Sequence, residues 1–552
     1  MKKFLALFLA LVLVLGLVAC GGKKDDGNKA NNGDAVELTV GLAPSMYISS
    51  YTENTMTKWL EEECGVKLSF VEYAGGTDVA TQISTTIAAR LPLPDILIGI
   101  ELDPVTRNKY GEEGYFVDLQ DYFADKEGAS KTFWTRLEEL SEQDQENTIL
   151  QMTNPETGAI YSVPTMETSL VDSMYYQTWI NTEWLDKVGM DKPTNNDELL
   201  KVLRAFQKTD CNGNGINDEI PLLASVNGSL GCFVIDWLLN TKVYYDAGTG
   251  YIVEDGKLVH TSTTDEYREG LKFIRQLYKE GLLSSLVFTS SGAELKSMFT
   301  PADGVAKGGI VVGHLTLHTS DSSPVLDQYE PLQTWGNAVR RATTCNLKNF
   351  ISGDCENPEK AFEVMMKLWT KEGALRNRYG NKGTDWTEPD EGAVSLIGLP
   401  AEFKVISYKT TQQHADNWGL VHCTLNTNAE YETAQVEEGD VAEGMIRRLR
   451  MHAESSKLYD EAAAKNNPKV TCPPLVRTTQ ENEETQMERI NVPNRVSKYR
   501  TYFITGQEDI NSDATWEKYL KTLKDDGLDK ILKQDQAIYE RQLKQLEEQL
   551  GK

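Results

Sequence analysis

The stretch "VELTVGLAPSMYISSYTENTMTKWLEEECGVKLSFVEY", Val36 to Tyr73, changes its hydrophobic period twice. Val36, Leu38, Val40 and Leu42 alternate, which is the period of a strand with one buried face. Met56, Trp59, Leu60 and Cys64 then recur at helical spacing, and the run stops at Gly65. "VKLSFVEY" returns to a strand. The next segment repeats the order: Val79, Ile83 and Ile87 mark one helical face, and "LPDILIGI" after Pro92 reads as a short buried strand. Strand and helix in alternation predict an α/β lobe with a largely parallel sheet, because parallel neighbours need a crossover between them.

The same grammar continues along the chain. "PTNNDELLKVLRAF" offers Thr194 as an N-cap ahead of Leu199, Leu203 and Phe206. "TTDEYREGLKFIRQLYKEG" puts Tyr267, Leu271, Ile274 and Tyr278 on one face and ends at Gly281. "ENPEKAFEVMMKLW" supplies Asn357 as cap, Pro358 at the first helical position, and Phe362, Met366 and Trp369 on the inner face. The C-terminal "WEKYLKTLKDDGLDKILKQDQAIYERQLKQLEEQL" reads as two helical stretches broken at Gly527, their charge forming a solvated face. At 552 residues the chain is too long for one ordinary core, so two or more lobes are expected. Its formal charge of −27 would repel a phosphate backbone and an anionic membrane surface alike, so nucleic acid is not an expected partner.

The N-terminus "MKKFLALFLALVLVLGLVAC" has a basic start, an apolar run from Phe4 to Val18, and small residues ahead of Cys20. "LVAC" looks like the lipobox of bacterial lipoproteins, which implies cleavage before Cys20 and a lipid (palmitate) on its sulfur. The alternative is an ordinary signal peptide or a retained anchor. Residues 21–35 are polar and rich in Gly and Asn, the composition of a flexible tether. The remainder contains no second apolar run of membrane-spanning length, which places the folded body outside the cytoplasm. Seven cysteines follow Cys20, with no CxxC pair among them, so zinc is not supported; Cys345 and Cys355 are close enough in sequence to close a short loop.

"DCNGNGINDEIP", Asp210 to Pro221, places an acid or amide at alternate positions through Asn214, then Gly215, then Asp218 and Glu219. Counted from Asp210, oxygen-bearing side chains fall at alternate positions as in an EF-hand loop, with glycine where that loop turns sharply, but Pro221 stands where the bidentate Glu belongs. Two readings stay open on the residues alone, an Asn-Gly turn and a cage for calcium.

Taken in order, "EEGYFVDLQDYF", "GAIYSVPTMET", "WINTEWLDKVGMDKPTNNDELLKVLRAFQ", "DCNGNGINDEIPL", "YKEGLL", "ENPEKAFEVMMKLW" and "YFITGQEDINSDATWEKYLKTLKDDGLDKI" resemble the extracellular solute-binding lipoproteins of bacterial ABC importers, in the large oligosaccharide-type group related to the alginate-binding and LipO-like proteins. The resemblance implies a two-lobed α/β periplasmic-binding-protein-like fold of type II. It implies a signal peptide over 1–20, a tether over 21–35, one lobe from 36–172 plus 343–425 and the other from 173–342 plus 426–552. Hinges are then expected near Asp172–Tyr176, Val339–Thr344 and Val421–Asn428. It implies a structural calcium ion held by Asp210, Asn212, Asn214, the carbonyl of Ile216, Asp218 and Glu219. By position in the family pattern, Tyr47, Glu167, His314, Trp335 and Trp386 are candidates for the ligand cleft, each with core packing as an equal reading. The implied protein is a monomer lipid-anchored at Cys20 on the outer face of the membrane, delivering an oligosaccharide to permease subunits and not acting as an enzyme. The competing expectations are a binder of peptides or another polar solute, and a secreted carbohydrate-active enzyme with two facing carboxylates. HExxH, GxSxG and phosphate-loop motifs are all missing from the sequence.

Overall fold

The computed structural model describes residues 35–73, 79–168, 173–226, 233–320, 322–333, 335–341, 343, 345–407, 413–419, 423–427, 432–437, 443–465 and 471–550. The lipobox with Cys20, the tether up to residue 34, Cys232, and the hinge positions Asp172, Thr344, Val421 and Asn428 lie outside the described residues.

In chain order the strands are β1 (Val36–Leu42), β2 (Val66–Glu72), β3 (Ile96–Ile98), β4 (Val163–Glu167), β5 (Thr178–Asn181), β6 (Ile220–Leu223), β7 (Tyr251–Glu254), β8 (Lys257–His260), β9 (Gly308–Val312), β10 (Tyr329–Pro331), β11 (Cys345–Ile351), β12 (Trp386–Thr387), β13 (Phe403–Val405), β14 (Leu425–Asn426) and β15 (Ala434–Gln435). One sheet runs β14-β4-β11-β3-β1-β2 and a second runs β10-β5-β9-β6.

Strand direction fixes where these sheets can present side chains. β1 is parallel to β3, β11 is antiparallel to both β3 and β4, and β14 is parallel to β4. Thus β1, β3, β4 and β14 all end on one edge of the first sheet, where β11 begins. In the second sheet β6 is parallel to β9, while β5 is antiparallel to β9 and β10. So β6, β9 and β10 end, and β5 begins, on a single edge. The chain leaves the first edge after Glu167 to start β5, and leaves the second edge after Pro331 to start β11. These two crossing segments pair with one another: Met174 bridges Arg340, the Arg341 amide donates to the Ser173 carbonyl at 2.8 Å, and the Tyr176 hydroxyl donates to the Asn337 carbonyl at 2.9 Å.

A third connection differs from its expected place near Val421–Asn428. Leu425 and Asn426 still pair with β4, and Ala434 packs with Phe403 and Leu449. Tyr459 and Ala462 belong to the core of the second sheet, so the passage runs along the helix Glu443–Ala463. A helix can carry two separate apolar patches along its length, which a strand of two residues cannot.

Local sequence explains the rest. β9 reads Gly-Gly-Ile-Val-Val and is buried throughout, as a strand covered on both faces must be. Gly309 admits the Phe206 ring, since a Cβ there would sit 2.3 Å from that ring. Leu199, Leu203 and Phe206 are buried on the helix Asn196–Lys208, but its N-cap is Asn195, whose side chain accepts from the Glu198 amide; Thr194 instead donates to the Glu198 carboxylate. Trp59 sits at a boundary, with Arg376 at 4.9 Å and Lys367 at 5.3 Å over its ring. Cys345 and Cys355 are not bridged: these two, with Cys64, Cys211, Cys423 and Cys472, are free and buried. Burial pushes the thiols up, to about 11 for Cys64 and Cys211 and about 12 for Cys345, Cys355 and Cys472.

Candidate functional site

The strand ends just derived hold three of the predicted contact residues. Tyr47 follows β1 and is 43% exposed beside Met46, while its carbonyl accepts from the His414 amide at 2.9 Å. Glu167 is the last residue of β4 and reaches solvent; Arg378 lies 3.6 Å away, and the Asn426 amide donates to it at 3.4 Å. His314 follows β9 on the facing edge of the second sheet but is buried, its ring 5.4 Å from that of His452 on the helix Glu443–Ala463. His452 packs in turn against Trp179, and both its ring nitrogens are buried without a hydrogen-bond partner among the described residues. Desolvation holds the His452 imidazole well below its ordinary range and brings His318 down to about 4.

Two candidates sit elsewhere. Trp335 lies on the returning crossing segment, donates its indole N–H to Asn196 Oδ1 at 2.8 Å and meets the Trp237 ring edge-on at 5.9 Å. Trp386 is 2% exposed, donates to the Gly380 carbonyl at 3.0 Å, packs with Phe403 and Tyr379 and has the Lys382 ammonium 5.4 Å over its ring, so it is built into a core away from the strand ends. The partners that complete the site, Arg378 for Glu167 and His452 for His314, stand far along the chain on helices. No spacing rule connects them to those residues.

The loop from Asp210 to Glu219 is built by its own side chains. Gly213 and Gly215 take positive φ, 72° and 80°, which fold the backbone back on itself. Asp210 Oδ2 accepts from the Gly215 amide at 3.0 Å, Asn212 Oδ1 from Asn214 at 3.0 Å, and Asn214 Oδ1 from Ile216 at 2.7 Å. The Asn212 and Asn214 amides both donate to Asp218 Oδ1 at 3.0 Å, which lowers the Asp218 pKa. Asp210 Oδ1 and Glu219 Oε2 are buried with no hydrogen-bond partner among the described residues. Two orphaned carboxylate oxygens in one loop fit a hard cation. Among the described residues no three His, Cys, Asp or Glu side chains gather closely enough to hold a metal by themselves, so Asn and backbone oxygens would have to complete the set.

Comparison with known proteins places this geometry. Residues 46–313 match the family model of bacterial extracellular solute-binding proteins. The chain is 32% identical over 243 residues to the fructooligosaccharide ABC transporter substrate-binding protein FusA of Streptococcus pneumoniae, covering 43% of this chain and 42% of that one. It is 26% identical over 286 residues to lipoprotein LipO of Bacillus subtilis, 51% of each. The matched portion thus spans about half the length of the curated relatives. A solved solute-binding protein of Bifidobacterium longum infantis, associated with an HMO-binding ABC transporter, superposes with a TM-score of 0.70 at 20% identity, over 92% of this chain and 99% of the other. Among the described residues no helix is long and apolar enough to cross a membrane. With two sheets joined edge to edge by crossing segments, the chain has the two-lobed α/β fold of the solved solute-binding protein, and its residues 46–313 are similar to the bacterial extracellular solute-binding proteins.

Proposed function

We propose that this protein captures an oligosaccharide between its two lobes and delivers it to the permease of an ABC importer, with no chemistry of its own. The observation that carries the reading is the topology: the two crossing strands join the same two sheet edges, so strand ends from both sheets converge on one cleft, where ligand-binding side chains are best placed. The 32% identity to a fructooligosaccharide substrate-binding protein supports a sugar as the solute. One lobe, residues 36–172 with 343 to the start of the helix Glu443–Ala463, and the other, 173–342 with the end of that helix to the C-terminal helices, close as rigid bodies about the crossing segments. Tyr47 offers an exposed ring for a sugar face, and Glu167 an accessible carboxylate for hydroxyls. His314 backs the opposite wall.

Calcium belongs to the same proposal. Asp210, Asn212, Asn214, the Ile216 carbonyl, Asp218 and Glu219 would hold it, and the ion would supply the positive charge that the buried Asp210 and Glu219 oxygens lack. Lipid on Cys20 would fix the protein to the outer face of the membrane.

A thermal-shift screen with calcium present tests the reading against oligosaccharides of several linkages, monosaccharides and peptides. Binding to the native state raises the melting temperature with concentration. A rise with one glycan family, lost in Tyr47→Ala and Glu167→Gln, is expected. A rise with peptides alone would retire the sugar, and release of shortened glycan products would retire the binding-only role.

A further inference from the structure

A cavity of about 480 Å³ lies against the crossing strands. Side-chain alternation separates their two faces: Tyr176 meets the Tyr459 ring of the helix Glu443–Ala463 at 5.2 Å, and its neighbour Tyr175 turns away and lines the cavity. Arg340 and Arg341 enter it from the returning strand, Arg489 from the helix Thr479–Thr505, Arg477 from the segment before that helix, and Gln143 from the first turn of the helix Glu142–Met152. Four guanidiniums face two lining carboxylates, Asp246 and Asp535, in a chain whose formal charge is −27.

Those carboxylates are already engaged. Asp535 is shared by Arg489 at 2.6 Å and Arg477 at 3.0 Å, and also accepts from the Tyr251 hydroxyl at 2.7 Å. Asp246 accepts from the Tyr175 hydroxyl, the Gly248 amide and the Thr249 hydroxyl. Arg340 is paired with Asp460 at 2.5 Å. Arg341 has the Tyr175 ring, 5.5 Å from its guanidinium carbon, and no side-chain acceptor among the described residues; the Arg477 Nε–H is buried without one. Unused guanidinium donors in a polar cavity, with a net positive lining, match the planar or tetrahedral oxygens of an anion.

We infer that this cavity binds a small oxyanion, a phosphate or carboxylate group, through Arg341 and Arg477. Because the crossing strands form part of its wall, occupancy is felt where the two sheets are joined. Titration calorimetry of the protein at constant ionic strength, with inorganic phosphate in one arm and citrate in the other, tests the site. Saturable binding of at least one anion is expected, weakened about tenfold or more in Arg341→Gln, whereas Arg204→Gln, at a surface pair with Glu280, binds like the parent. Arg341→Lys keeps the charge but loses the planar fork, and is expected to retain weakened binding, which covers the case of a glutamine variant that folds poorly. Binding of phosphate alone assigns a phosphoryl group, and of citrate alone a carboxylate. No saturable heat with either anion at about 10 mM, or undiminished binding in Arg341→Gln, would mean that the cavity holds only water and would overturn the proposal.

Discussion

At Asp535 a 1% exposed carboxylate receives two guanidiniums and a tyrosine hydroxyl; at Asp210 and Glu219 two carboxylate oxygens are equally shut away and receive nothing. The first centre is assembled from three distant parts of the chain, with Tyr251 separated from Asp535 by 284 positions. The second lies within one ten-residue loop. The contrast shows two ways of burying acid. One supplies all the counter-charge from the protein and is complete on folding; the other leaves two carboxylate oxygens unsatisfied, and the calcium ion proposed there would make its stability depend on the solution.

Breaking the self-sufficient centre should have the largest effect. Asp535→Ala strands two guanidiniums and a hydroxyl, and is expected to cost about 3–5 kcal/mol in urea unfolding whether or not calcium is present. The loop should respond only through the ion: calcium at a hundredfold excess over its Kd stabilises by about 2.7 kcal/mol, a chelator removes that, and Glu219→Gln makes the two conditions alike. An equal melting temperature with calcium and with chelator would erase the distinction. The buried histidines use a third solution, neutrality. Burial brings His260 and His318 to about 4 and holds His452 low, so below about 6.5 the unfolded chain binds protons that the fold refuses. Their contribution is present above pH 6.5 and is lost as the pH falls towards 4, by about 1.4 kcal/mol per pH unit for each histidine. His452→Leu should flatten the acid limb of a stability–pH curve. The smallest effect calibrates purely local satisfaction: Ser291→Ala, which opens the capping box of the helix Gly292–Phe299, is expected to cost about 1 kcal/mol.

Legibility in the sequence follows the same division. Features made within one turn or one period were readable: the alternation of β1, the buried face of Val79, Ile83 and Ile87, the break at Gly527, and the folding of the loop around Gly215. The cap of the helix Asn196–Lys208 fell one residue from its expected place because Thr194 and Asn195 are both competent acceptors, and which one caps depends on backbone geometry. Trp386 could not be distinguished from a ligand platform, since a core indole and a cleft indole have the same sequence neighbourhood. Arg378 at Glu167, His452 at His314 and the four arginines of the cavity are products of topology alone. The third connection moved from a loop to a helix for a related reason: the polar face of Glu443–Ala463 hides its dual packing.

The six buried thiols among the described residues turn the molecule into its own clock. A reagent that modifies only thiolate cannot reach them in the closed fold, and burial keeps them protonated as well, so labelling proceeds at the rate at which each neighbourhood opens. Cys345 stands where β11 begins, Cys211 beside Asp210, and Cys472 on the wall of the arginine-lined cavity. Three stopwatches are thus set at the crossing strand, the acidic loop and the anion cavity, and each reads whether its own ligand slows the opening there.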